Sequence, residues 1–143
     1  MQKLLIALIA CLLIFSACAR KRAEIVVPSG DSVVIDAKNI APGEAKFFRY
    51  DFRGREIRFI AGRTETGSFV TVFDACATCY VNKKGFRAEP GCVVCNDCGS
   101  ARFKLSEMEK GLGNCVPIAL PHRALGDNII ISLGDLQAGW KWF

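Results

Sequence analysis

Histidine occurs once in these 143 residues, and no hydrolytic machinery is visible. There is no Gly-x-Ser-x-Gly, no pair of carboxylates in a recognisable frame and no glycine-rich loop to cradle a phosphate, so no stand-alone catalytic centre can be assembled. No Cys-x-x-Cys is followed by histidine, which excludes covalent c-type haem. The net charge is +5, but Arg and Lys are scattered among acids instead of forming a stripe with stacked aromatics, so nucleic acid is not an expected partner. Repeats and low-complexity tracts are missing too. The uncharged run at residues 4–17 is too short to cross a bilayer comfortably.

That run is nevertheless the first informative feature. A single lysine precedes it, and it closes on Phe15-Ser16-Ala17-Cys18, which resembles the lipobox of bacterial lipoproteins. The resemblance implies a signal peptide over residues 1–17, cleavage before Cys18 and a lipid on its thiol. Cys11 fits the same pattern but would strand the apolar residues after it. Residues 18–23, with Arg20, Lys21 and Arg22, become a basic tether suited to an anionic membrane surface. The expected location is the bacterial cell envelope, lipid-anchored and facing the periplasm or exterior.

Residues 24–143 have one domain's length. Short β-branched runs at residues 24–28 and 32–36 read as strands, separated by a turn at Ser29-Gly30-Asp31. Phe48, Tyr50 and Phe52 alternate with Arg49, Asp51 and Arg53, the period of a half-buried strand. Gly54 starts a hairpin turn, Ile57 and Phe59 resume the alternation, and residues 69–73 run as a strand into Cys76. A last strand is expected at residues 128–133, and the only expected helix at residues 105–110. The predicted fold is therefore mainly β: an antiparallel sheet built from residues 24–73 and 128–133, with a cysteine-rich metal-binding loop region at one end. Trp140, Trp142 and Phe143 are expected to close the core as a lid.

Six cysteines follow Cys18, and five of them fall within residues 76–99 as C-x2-C-x12-C-x2-C-x2-C, with Cys115 after sixteen intervening residues. Structural disulfides suit an exported chain, but a cysteine triplet at successive two-residue gaps is an unusual staple. Thioredoxin-type chemistry wants a Cys-x-x-Cys opening a helix in a βαβ unit, which nothing here supplies. A thiolate metal site leads. Cys76-Ala-Thr-Cys79 and Cys95-Asn-Asp-Cys98 form two knuckles, and Gly99 frees the backbone after the second. Spacing alone does not separate zinc from a [4Fe-4S] cluster held by four thiolates. Cys92 and Cys115 remain further candidate ligands. The alternative for them is a disulfide between the two, or a free thiol near the surface for Cys92.

From Phe47 onward the chain also resembles the FtrD-like family, membrane-associated iron–sulfur proteins linked to bacterial iron transport. The resemblance rests on Phe73-Asp74-Ala75-Cys76-x-x-Cys79, Lys84-Gly85-Phe86, Cys95-x-x-Cys98-Gly99, Cys115-x-Pro117 with Leu120-Pro121, and Gly139-x-x-x-Phe143. It implies a [4Fe-4S]-type centre on Cys76, Cys79, Cys95 and Cys98 that passes electrons beside an iron permease or periplasmic redox proteins. The family's usual Gly-Gly-Cys-Asn-Pro is Gly113-Asn114-Cys115-Val116-Pro117 here, and Cys92 is additional. One physical objection favours zinc or disulfides: export of a folded cluster protein wants a twin-arginine signal, and this signal has none.

Other side chains have two readings each. His122 is either a ligand beside the cysteines or an ordinary loop histidine. Asp74 either hydrogen-bonds a turn amide near the site or caps a strand end. Lys83, Lys84 and Arg87 either offset thiolate charge or belong to a solvated loop.

Overall fold

The computed structural model describes residues 23–99 and 101–143. The signal segment and Cys18 lie outside these residues.

Strands β1 (Glu24–Ile25), β2 (Ser32–Asp36), β3 (Ala45–Phe52), β4 (Arg55–Arg63) and β5 (Phe69–Cys76) lead the chain. They are followed by β6 (Phe86–Glu89), β7 (Cys92–Cys95), β8 (Arg102–Phe103), β9 (Pro117–Ala119), β10 (Arg123–Leu125), β11 (Asn128–Ser132) and a short helix α1 (Leu133–Ala138). They form three sheets, ordered β1-β3-β4-β5-β9, β10-β11-β2 and β6-β7-β8. The fold is mainly β, as expected, and all pairings but one are antiparallel: β1 runs parallel to β3. The expected single sheet is corrected, because β11 pairs with β2 and β10 instead of joining the strands at residues 45–76.

The five-stranded sheet is the middle layer. Alternation sets Phe48, Phe59 and Phe73 in register on one face, where they pack against Val33, Ile35, Ile129 and Ile131 of the β2–β11 sheet. The opposite face carries Ile60, Val70 and Val72, which pack against Phe86, Val93 and Phe103 of the cysteine-bearing sheet. Covering both faces explains why β5 is buried without a break from Val70 to Cys76. Each large side chain buried as fully as Phe59 contributes about 1.5–3 kcal/mol.

The β3–β4 hairpin closes through Arg53 and Gly54, both at positive φ, as a two-residue loop with native twist demands. The expected helix at residues 105–110 is a single 3-10 turn, Leu105–Glu107, too short in its apolar pattern to extend. The helix that forms among the described residues, α1, was not expected from the sequence. Its signal is Ser132-x-x-Asp135: the Ser132 side chain accepts from the Asp135 amide, a helix N-cap. After α1 the chain approaches β5 so closely that a Cβ on Gly139 would collide with the Phe73 ring. That contact seats Phe143 in the core and leaves Trp140 half-exposed on Arg55, so the aromatic end is only partly a lid. Among the described residues no helix is long and apolar enough to cross a membrane.

Candidate metal centre

Strand β5 ends on Cys76, and a tight turn brings the Cys79 amide back to the Cys76 carbonyl. In β7, alternation points Val93 and Cys95 toward the middle sheet. The turn after Cys95 aims the Cys98 amide at the Cys95 sulfur, 3.4 Å away, the amide-to-sulfur contact expected of a knuckle. Gly99 follows at φ +54°, a conformation for which glycine is suited.

The four knuckle sulfurs converge. Cys76 and Cys98 lie 3.7 Å apart, Cys79 and Cys95 3.7 Å, and Cys79 and Cys98 3.5 Å. A fifth sulfur joins them. Pairing of β9 with β5 sets Pro117 opposite Cys76, which carries Cys115 to 3.6 Å from the Cys76 sulfur. The sulfurs of Cys76, Cys95, Cys98 and Cys115 all lie within 4.8 Å of one another. The Thr78 hydroxyl donates to the Asn114 carbonyl and ties this arm to the first knuckle.

All six cysteines of the described residues are free thiols, so the expected Cys92–Cys115 disulfide is not formed. Cys92 fails to reach the site for a simple reason. It lies three positions before Cys95 on the same strand, and an odd separation on a strand points the two side chains to opposite faces. Its neighbour is Arg102, at 3.6 Å. His122 is also elsewhere, its Nδ1 sharing a hydrogen bond of 2.8 Å with the Thr71 hydroxyl.

The loop between the knuckles is braced from below. Asp74, buried at the end of β5, accepts a 2.6 Å hydrogen bond from the Phe86 amide and faces Arg58 at 3.6 Å. Burial raises the Asp74 carboxyl to about 6, against the opposing pull of the Phe86 amide and Arg58. Gly85 stands at φ +60° where a Cβ would lie 2.5 Å from the Asp74 carboxylate, so the Lys84-Gly85-Phe86 motif is a backbone-to-carboxylate strap. Lys84 pairs with Asp97 of the second knuckle at 2.6 Å, while Asn82 reaches the other oxygen of the same carboxylate. Arg87 is held by Asn96 and Glu89. Lys84 and Arg87 therefore fasten the loop to the second knuckle. A small cleft lined by Arg58, Asp74, Cys76, Cys79, Tyr80 and Trp142 adjoins the sulfurs.

The electrostatics are those of a site that calls for a cation. Burial pushes the Cys76 thiol up, but the Thr78, Val116 and Cys79 amides and the Cys115 thiol donate to its sulfur and bring it down to about 6. Burial and the neighbouring sulfurs push Cys79 and Cys115 well above the ordinary thiol range, and burial chiefly raises Cys98. The donor set fits both groups in question, since zinc and iron–sulfur clusters are both held by thiolates. Zinc–sulfur bonds of about 2.3 Å set sulfur–sulfur edges of about 3.8 Å, close to the spacing found, whereas a cluster spreads its thiolates wider.

Over residues 40–143 the chain matches the model of a family described as membrane iron-sulfur containing protein FtrD-like. The chain belongs to that family. The match extends the resemblance seen from Phe47 back through the start of β3, and it takes in all five converging cysteines. No curated protein and no solved structure matches the chain. Family membership and the close sulfurs together support a metal-binding protein with a metal or iron–sulfur site.

Sequence reasoning kept Cys115 only as a further candidate ligand, and the structure brings its sulfur into the cluster. The signal was Pro117: a residue with no amide to donate opens a short strand, and its pairing with Cys76 fixes where Cys115 falls.

Proposed function

We propose that this chain is a lipid-anchored iron–sulfur protein of the bacterial cell envelope that passes electrons in connection with iron transport. The observation that carries the reading is the convergence of five unoxidised thiols at the end of one strand. When bound, the cluster would supply a one-electron centre. The chain's own contribution is to hold the thiolates from Cys76, Cys79, Cys95 and Cys98, to donate amides to the Cys76 and Cys95 sulfurs, and to bury most of the site. Family membership supports the iron–sulfur and membrane-associated parts. The lipid on Cys18 rests on the lipobox, and an iron permease or periplasmic redox protein as partner rests on what is known of the family.

Anaerobic purification followed by iron and acid-labile sulfide analysis tests the reading. Brown protein with both elements supports it, and colourless protein containing neither sinks it. A single zinc ion is the second reading, favoured by sulfur spacing of 3.5–3.7 Å. It predicts one zinc per chain and no sulfide.

A further inference from the structure

A four-coordinate ion needs four sulfurs, and this site has five. They are not equivalent. Cys76, Cys95 and Cys98 belong to the mutual set within 4.8 Å that Cys115 completes. Cys79 stands outside that set yet touches two of its members, Cys95 at 3.7 Å and Cys98 at 3.5 Å. Cys115 touches Cys76 at 3.6 Å. Both extra sulfurs therefore border the same three-sulfur base, Cys79 in contact with Cys98 and Cys95 and Cys115 in contact with Cys76.

We propose that Cys76, Cys95 and Cys98 are permanent ligands and that Cys79 and Cys115 are alternative fourth ligands, exchanged on the bound ion. This assignment rests on the single-ion form of the metal-site reading and concerns how the site handles that ion. In the exchange, a bond forms from the ion to the incoming sulfur and the bond to the outgoing sulfur breaks. The incoming thiol's proton passes to the outgoing thiolate, and no electron moves. The two arms suit the task because they differ in freedom. Cys115 is buried and fixed by β9, while Cys79 is half-buried, leads into the 3-10 turn Tyr80–Asn82 and lines the small cleft. With Cys115 on the ion, Cys79 is released on the cleft side, where a ligand or an incoming metal can meet it. With Cys79 on the ion, the site is closed by both knuckles.

The test loads the full chain anaerobically with cobalt(II), whose thiolate charge-transfer absorption reports the sulfur ligands. Serine and alanine variants are made at each of the five positions. Cys79→Ser and Cys115→Ser are each expected to keep one cobalt and the four-thiolate spectrum. Affinity should fall by no more than about tenfold, because the remaining fourth ligand still completes the set and only the population bound through the other is lost. The double variant, and each variant of Cys76, Cys95 or Cys98, is expected to lose the spectrum. Loss in either Cys79→Ser or Cys115→Ser, with an unfolding transition like that of the wild type, overturns the proposal.

Brief alkylation of the cobalt-loaded wild type avoids any folding defect of a variant. Apart from Cys92, the label should fall on Cys79 and leave the cobalt spectrum intact, since Cys115 then completes the set. Release of cobalt as Cys79 is labelled overturns the proposal. A wild type that takes up neither iron nor cobalt overturns the metal-site reading as well. A wild type that binds cobalt but fails these patterns overturns the exchange alone.

Discussion

A methyl group at position 85 cannot coexist with the Asp74 carboxylate where it stands. The Cβ of alanine there would lie 2.5 Å from Oδ1 and 2.8 Å from Oδ2, well inside contact distance, and both neighbours are held. Asp74 is pinned between the Phe86 amide and Arg58, and residue 85 accepts the Asn96 amide through its carbonyl. Two costs then add in Gly85→Ala. Left-handed backbone at φ +60° costs an L residue about 1–2 kcal/mol. Displacing the carboxylate from a buried amide costs about 1.5–3 kcal/mol more, the range for hydrogen bonds to charged groups.

Gly91→Ala is the matched control. Its φ is +72°, but nothing lies within 4 Å of the added Cβ, so it carries the backbone cost alone. Urea unfolding of the two variants, loaded with the same metal, should separate them by about 1.5–3 kcal/mol with the m-value unchanged. Because residues 84–86 brace the second knuckle, Gly85→Ala should also weaken metal binding while Gly91→Ala should not. Equal destabilisation by the two substitutions would refute the strap.

Gly139→Ala should destabilise by about 1–3 kcal/mol through collision with Phe73, measured by thermal unfolding. Ser132→Ala removes the N-cap of α1 and should cost about 1 kcal/mol in the same assay. Cys18→Ser should release the protein from membranes or stall its processing, read by fractionation and mass spectrometry. Normal processing with full membrane retention would discard the lipid anchor.

The layers were only partly legible. Period-two alternation at Phe48, Tyr50 and Phe52 located β3, and the β-branched run at residues 69–73 located the core of β5, because each strand carries its own pattern. Which sheet a strand joins is a long-range choice. Ile129 and Ile131 pair with Ile35 and Val33, almost a hundred residues earlier, and no local feature announces it. The cysteines show the same division. The knuckles are local, and residues 76, 79, 95 and 98 could be grouped by spacing. Cys92 was judged by proximity in sequence when strand parity decides its direction. Cys115 depends on a pairing of β9 with an irregular stretch of β5, between Val72 and Cys76, where the register shifts.

The position of the sulfurs within the layers leads to one more expectation. Cys76, Cys95 and Cys115 are members of the core between the middle sheet and the β6–β8 sheet, packed with Phe86, Val93, Phe103 and Met108. The other core, between the middle sheet and β2–β11, contains no cysteine. A metal on these sulfurs closes loops between three chain segments, and such binding is folding free energy for the layer it joins. Removing it takes away the cross-link that held β7 and the Cys115 arm to β5. Chelation should therefore loosen one layer and spare the other, since local stability need not be uniform. Hydrogen exchange, read by mass spectrometry on loaded and chelated protein, should show lost protection across residues 86–103 and retained protection in β2 and β11. Equal loss in both layers would mean that the metal supports the whole domain at once, and no loss in either would mean that the sulfurs carry no structural ion.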